Sequence, residues 1–178
     1  MKKNGAKTLA RVALAAVIIT VCSWISVPYV IPFTLQTFAV FFALVVLGGK
    51  QGTAAIIVYV LLGVAGVPVF SGFKGGIGAL LGATGGYVFG FVLSGAAYHL
   101  LPFKEKNFIL KAVACFISLL VCYAAGTLWF WFVYSNGSGA EGLIYALTVC
   151  VLPYILFDVL KIIAAVFLGE KIKKIIDG

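Results

Sequence analysis

Two ionisable residues stand where an apolar chain tolerates them least. Asp158 and Lys161 are the only charged residues between Gly142 and Gly169. Three positions apart, they share one face of a helix. An aspartate accepts hydrogen bonds from N–H donors, and a lysine donates to a carboxylate or carbonyl oxygen, so together they suit a solute with complementary polar groups. Each charge costs about 2.5–3.5 kcal/mol at mid-membrane even on the lenient insertion scale. A purely structural role could be filled by apolar residues without that cost. The alternative is a mutually neutralising pair that merely positions its helix.

Covalent chemistry has little to work with. His99 is the sole histidine, no second intramembrane carboxylate joins Asp158, and no Ser-His or Cys-His couple can be assembled at one depth. Cys22, Cys115, Cys122 and Cys150 lie singly in apolar segments without metal-ligand spacing and read as small buried hydrophobes. A phosphate-cradling P-loop is absent, since Lys50 is followed by Gln51 and Lys74 by Gly75. These features point to a binding protein rather than an enzyme, with no cofactor and no metal expected.

The elements that must position the pair follow from composition. The chain has 178 residues, 63% hydrophobic and 10% charged, with 13 basic and 5 acidic side chains and a mean hydropathy of +1.19. That is membrane-protein composition, and it excludes a soluble enzyme. The net charge of +8 forms no aromatic-interleaved basic face, so a nucleic-acid partner is not expected. A helix needs roughly 20 apolar residues to cross the hydrocarbon layer. The uncharged runs 12–49 (broken by Pro28 and Pro32), 51–73, 75–103 and 112–140, with the last stretch around Asp158, predict six transmembrane helices near 8–27, 34–49, 52–68, 84–102, 111–134 and 153–174. With both termini cytoplasmic, Lys74 is the lone basic residue outside, Lys161 lies in the membrane, and the other eleven of the 13 are inside. Lys2, Lys3 and Lys7 precede the first apolar run as in a secretory signal, but this helix is expected to stay attached.

Counting depth at about 1.5 Å per residue from each cytoplasmic cluster brings Gln36, Pro68–Ser71, Thr84–Tyr87 and the Asp158–Lys161 pair to the outer half of the bundle. A single outward-facing pocket is the economical reading. Trp24, Tyr29, Phe33, Phe70, Phe73, Tyr87 and Tyr154 lie at similar depth and could line it, although each alone could be an interface anchor. Ten of the 21 glycines fall between Gly63 and Gly90. Gly82 and Gly90 read as helix-packing positions. Gly75, Gly76, Gly85 and Gly86 read as places where backbone could approach a ligand, with packing the competing role. Segment 138–152 is left over as an interfacial or re-entrant piece covering the pocket. Ala6, Ala10 and Ala13 begin a small-residue stripe on the first helix, suited to close approach by a helix of this chain or of a partner.

Four motifs in order then resemble one family: Pro32-Phe33-Thr34-Leu35-Gln36-Thr37; Tyr59 with Gly63, Gly66 and Pro68-Val69-Phe70; Gly82-Ala83-Thr84-Gly85-Gly86-Tyr87 with Gly90-Phe91; and Asp158 with Lys161. They are similar to the BioY family, the biotin-specific substrate-binding (S) components of energy-coupling factor (ECF) transporters. The likeness covers nearly the whole chain, and Ala83 departs from an expected proline. It implies an all-α, six-helix membrane protein in a prokaryotic cell membrane that binds biotin from outside and docks on a T component driven by two ABC-type ATPases. Small residues of the first helix would serve that docking. Asp158 and Lys161 would hold polar groups of biotin, with Gly85, Gly86 and Tyr87 shaping the pocket; which end Lys161 meets stays open. An S component for another vitamin, or a membrane enzyme acting on a lipid-like substrate, are the competing functions.

Overall fold

A computed structural model describes residues 2–102, 107–134 and 139–177. Lys104 and Lys106, which the charge count uses, lie outside the described residues, as does Ser138. Helices dominate: α1 (Lys2–Trp24), α2 (Gln36–Val64), α3 (Ile77–Leu81), α4 (Gly85–Leu100), α5 (Phe108–Tyr134), α6 (Gly139–Cys150) and α7 (Leu152–Asp177), with a two-residue hairpin β1 (Ser26–Val27) and β2 (Phe33–Thr34). Four stretches, Gly5–Trp24, Gln36–Val64, Phe108–Val133 and Glu141–Ile175, are long and apolar enough to cross a membrane. The chain is a multi-pass helical membrane protein.

Where the sequence expects helices at 34–49 and 52–68, α2 runs through both but folds back on itself at Gly48, whose φ of 76° and ψ of 166° are non-helical. Gln36 Nε2 donates to the Tyr59 hydroxyl at 3.0 Å. A straight helix would hold those residues about 34 Å apart, so the arms 36–47 and 49–64 are antiparallel. This backbone region is essentially closed to residues with a Cβ, which is why the reversal falls on a glycine beside Lys50. The 16-residue α4 is short for a span.

α1 stops at Trp24, before the predicted 27, because Ser26 and Val27 pair antiparallel with Thr34 and Phe33. The expected leftover segment forms α6. α6 and α7 are separated at Val151, next to Pro153, which lacks the N–H to continue one helix and suits the first turn of the next. Neither α3 nor the β hairpin is visible in the hydropathy.

The core runs through Ile19, Phe41, Leu44, Ile56, Tyr59, Leu119 and Val166, all essentially inaccessible. Lys111 Nζ bonds Glu170 Oε1 at 2.8 Å across α5 and α7. His99 packs on Gly49 and Val45 on Gly169. These pairings bring Lys50, His99, Lys111 and Glu170 towards one end of the bundle; the β hairpin, α3 and the segment around Lys74 lie towards the other.

The reversal at residue 48 yields a test. Gly48→Ala is expected to lower stability by about 1–3 kcal/mol, read as an earlier thermal unfolding midpoint of the detergent-solubilised chain, while an exposed control such as Ala13→Ser leaves it unchanged.

Candidate functional site

The site is built on α7. Its helical spacing puts Asp158 and Lys161 on one face, where Lys161 Nζ donates to Asp158 Oδ1 at 2.8 Å. The residues are only 4% and 9% exposed, so water contributes little to their solvation. A third partner comes from α5: the Tyr123 hydroxyl donates to Asp158 Oδ2 at 2.6 Å. Beneath the ammonium, the Phe33 ring of β2 lies 4.0 Å from Nζ, a cation–π contact worth more where water is excluded. Phe33 is held in turn by an edge contact to Phe157 and a stacked contact to Tyr154. The pair is therefore neutralised within the chain itself. Among the described residues, Lys161 makes no other hydrogen bond, and each Asp158 oxygen retains acceptor capacity.

Tyr123, Tyr154, Asp158 and Lys161 face a cavity of about 670 Å³, in the range of small-molecule sites. Its polar wall carries Gln36, Thr37, Tyr123, Asp158 and Lys161; Val88, Phe91 and Leu119 supply apolar surface. Two loops contribute at the end of the bundle away from Lys50 and Lys111. Residues 29–32 of the β hairpin contribute to the wall, and the Tyr154 hydroxyl donates to the Ile31 carbonyl, pinning that loop to α7. Ser71, Lys74, Gly75, Gly78 and Ala79 contribute from the other loop.

The structure thus brings Gln36, Gly75, Thr84, Tyr87, Asp158 and Lys161 onto one wall, with Tyr29, Phe70 and Tyr154 among the aromatics. Gly76, Gly85 and Gly86 are not on it. A Cβ on Gly86 would lie 2.1 Å from Trp129 Cβ, and one on Gly85 would meet the Leu80 carbonyl. Close packing of α4 on α5 and α3 accounts for both. Gly76 has a positive φ of 85° and donates its N–H to Gly63 O at 2.7 Å, a loop anchor. Trp24, Phe33 and Phe73 also lie off the wall. Gly82 lines the cavity and its carbonyl accepts the Trp129 indole N–H; Gly90 packs against Cys122.

Tyr123 is the residue that sequence reasoning missed. Its signal was available: a hydroxyl within the apolar run 112–140 needs a buried partner. Cys122 and Cys150 also reach the wall as small side chains. Ala6, Ala10 and Ala13 are exposed, while Val12, Ala15, Ala16 and Ile19 turn inward.

Comparison with known proteins agrees along the whole chain. The model of the BioY family matches residues 1–178. The chain is 37% identical over 170 residues to the biotin transporter BioY of Thermotoga maritima, covering 95% of this chain and 97% of that protein. It is 32% identical over 175 residues to biotin transporter BioY2 of Lactococcus lactis subsp. cremoris, covering 95% and 91%. A crystal structure of the S-component for biotin from an ECF-type ABC transporter superposes with a TM-score of 0.84 at 23% identity, covering 98% of this chain and 94% of that one. At that identity the likeness concerns the fold.

Two substitutions test the wall's construction. Tyr123→Phe takes one donor from a buried carboxylate and is expected to cost about 1.5–3 kcal/mol in chemical unfolding from detergent micelles. Gly86→Val overpacks the α4–α5 contact and is expected to cost about 1–3 kcal/mol in the same measurement.

Proposed function

The chain belongs to the BioY family, and from that premise we propose that it is the biotin-binding S component of an ECF-type importer. The observation that carries the reading is the cavity with the Asp158–Lys161 pair on its wall. Biotin offers what that wall asks for. Its ureido ring has two N–H donors and a carbonyl, matching the free acceptor capacity of Asp158 and the unused N–H groups of Lys161. Its fused ring and chain are apolar enough for Val88, Phe91 and Leu119. Gln36, Thr84 and Tyr87 complete the polar lining, and Gly75 lets the outer loop pass close to the ligand. Gly76, Gly85 and Gly86 support the site by holding its loop and helices.

The chain is a transport subunit that binds and releases its ligand unchanged. Six spans are formed by α1, the two arms of α2, α4, α5 and α7, with both termini cytoplasmic, in the cell membrane of a prokaryote. Biotin enters from outside, and the loops around residues 27–33 and 71–83 cover it. Inward delivery depends on a T component and two ABC-type ATPases, because this chain has no nucleotide-binding loop of its own. The exposed stripe of Ala6, Ala10 and Ala13 is the docking surface, since small side chains let a partner helix approach closely.

Equilibrium binding of labelled biotin to the purified chain is expected to be tighter than micromolar. Weaker binding, or better binding of thiamin or riboflavin, would assign the chain to another vitamin; recovery of chemically altered ligand would revive an enzymatic reading. Asp158→Asn and Lys161→Ala are each expected to weaken biotin about 10- to 100-fold, the range for losing a hydrogen bond to a charged group. Replacing Ala6 and Ala10 by Trp should spare binding but abolish uptake in cells carrying the partner subunits. Normal uptake would remove α1 from the docking surface.

A further inference from the structure

The biotin carboxylate needs a cation, and Lys161 is poorly placed to be it. Three charged residues line the cavity: Lys74, Asp158 and Lys161. Asp158 and Lys161 already cancel at 2.8 Å. A second carboxylate on Lys161 would set two anions against one ammonium in a buried place, where like charges repel strongly. Lys74 has neither defect. It is exposed, it lies on the outer loop, and its ammonium has no hydrogen bond or ion pair among the described residues.

The loop that presents Lys74 is tightly determined. Phe70 N donates to Lys74 O at 2.9 Å across a reversal in which both Gly72 and Phe73 have positive φ, 71° and 58°. For a bulky residue such as Phe73 that conformation is uncommon and persists only where its surroundings enforce it. Two anchors do so. Phe73 stacks on Trp24 with ring centroids 5.0 Å apart, and the Trp24 indole donates to Pro68 O at 2.8 Å. On the other side, Gly75 sits against the Val67 carbonyl. The backbone of Lys74 is thus held against the cavity on both sides, and only its flexible stem is left to move.

Resting on the biotin reading above, we propose that Lys74 is the residue that receives the biotin carboxylate, so that the ligand lies with its ureido ring on Asp158 and Lys161 and its acid at the outer mouth. The arrangement matches charge to charge and dipole to dipole. A neutral donor–acceptor group meets a neutral donor–acceptor pair in the dry interior, and the full charge remains where water still reaches it.

Titration of wild type, Lys74→Gln, Lys74→Arg and Lys161→Met with biotin and with biotinamide, its neutral carboxamide, tests this. Wild type is expected to prefer biotin by about tenfold, the lower end for a charge-assisted contact. Lys74→Gln should lose that preference by weakening biotin alone, and Lys74→Arg should keep it. Added salt should shrink the wild-type preference, because the contact is exposed. The proposal is overturned if wild type shows no preference, if Lys74→Gln keeps it, or if that variant weakens both ligands alike. It is also overturned if the preference survives in Lys74→Gln but vanishes in Lys161→Met, which would put the acid on the buried lysine. Failure of wild type to bind either ligand would instead sink the biotin reading itself.

Discussion

Burying an ammonium and a carboxylate inside an apolar bundle is costly for each ion alone, and the structure is organised around meeting that cost. The 2.8 Å contact between Lys161 and Asp158 neutralises the pair, the Tyr123 hydroxyl satisfies the second carboxylate oxygen, and the Phe33 ring supplies a polarisable surface under the ammonium. The four residues come from three elements, so α5, α7 and the β hairpin are joined by one cluster. Removing either charged member alone leaves an uncompensated charge, which is far more destabilising than removing the whole pair would be. Each Asp158 oxygen and the Lys161 ammonium nevertheless keep hydrogen-bonding capacity on the cavity wall.

Placing such a cluster beside a cavity, rather than in solid packing, requires the helices to be close where the cavity is not. Glycine achieves this. Gly86 brings α4 against Trp129 of α5, and Gly85 meets the Leu80 carbonyl of α3. Tyr87, the next residue, is thereby turned to the wall, where its hydroxyl lies 3.2 Å from Thr127 Oγ1. Gly85 and Gly86 shape the pocket from behind, and the neighbouring Thr84 and Tyr87 line it.

The spans and the pair were legible because both are matters of free energy per residue: uncharged runs of sufficient length, and charges where none should be. Gly48 was legible only as a boundary near Lys50, since charge marks a turn without giving its conformation. Hydropathy is uniform across these helices, and it carries no sign of which side faces lipid, protein or cavity. That is why Gly85 and Gly86 read as ligand contacts, although the structure uses them for packing, and why Tyr123 passed unnoticed in an apolar run despite its hydroxyl. The β hairpin and α3 escaped for another reason. Each spans only a few residues and is held by long-range bonds such as Tyr154 to Ile31 and Gly76 to Gly63, which no local pattern encodes.

The cavity wall contains no residue of α1, yet α1 carries the exposed alanine face. An importer must relate what fills the cavity to what its partners do, so the connection between them matters. Besides its apolar packing on α2, α1 is joined to the rest at its last turn. Ser23 donates to the Val69 carbonyl, Trp24 donates to Pro68 O, and Trp24 stacks on Phe73. All three contacts end on the segment that leads into Lys74. The last turn of α1 and the segment before Lys74 are therefore held together by one set of contacts. The exposed alanine face of α1 and the cavity-lining loop thus belong to elements that meet at the last turn of α1.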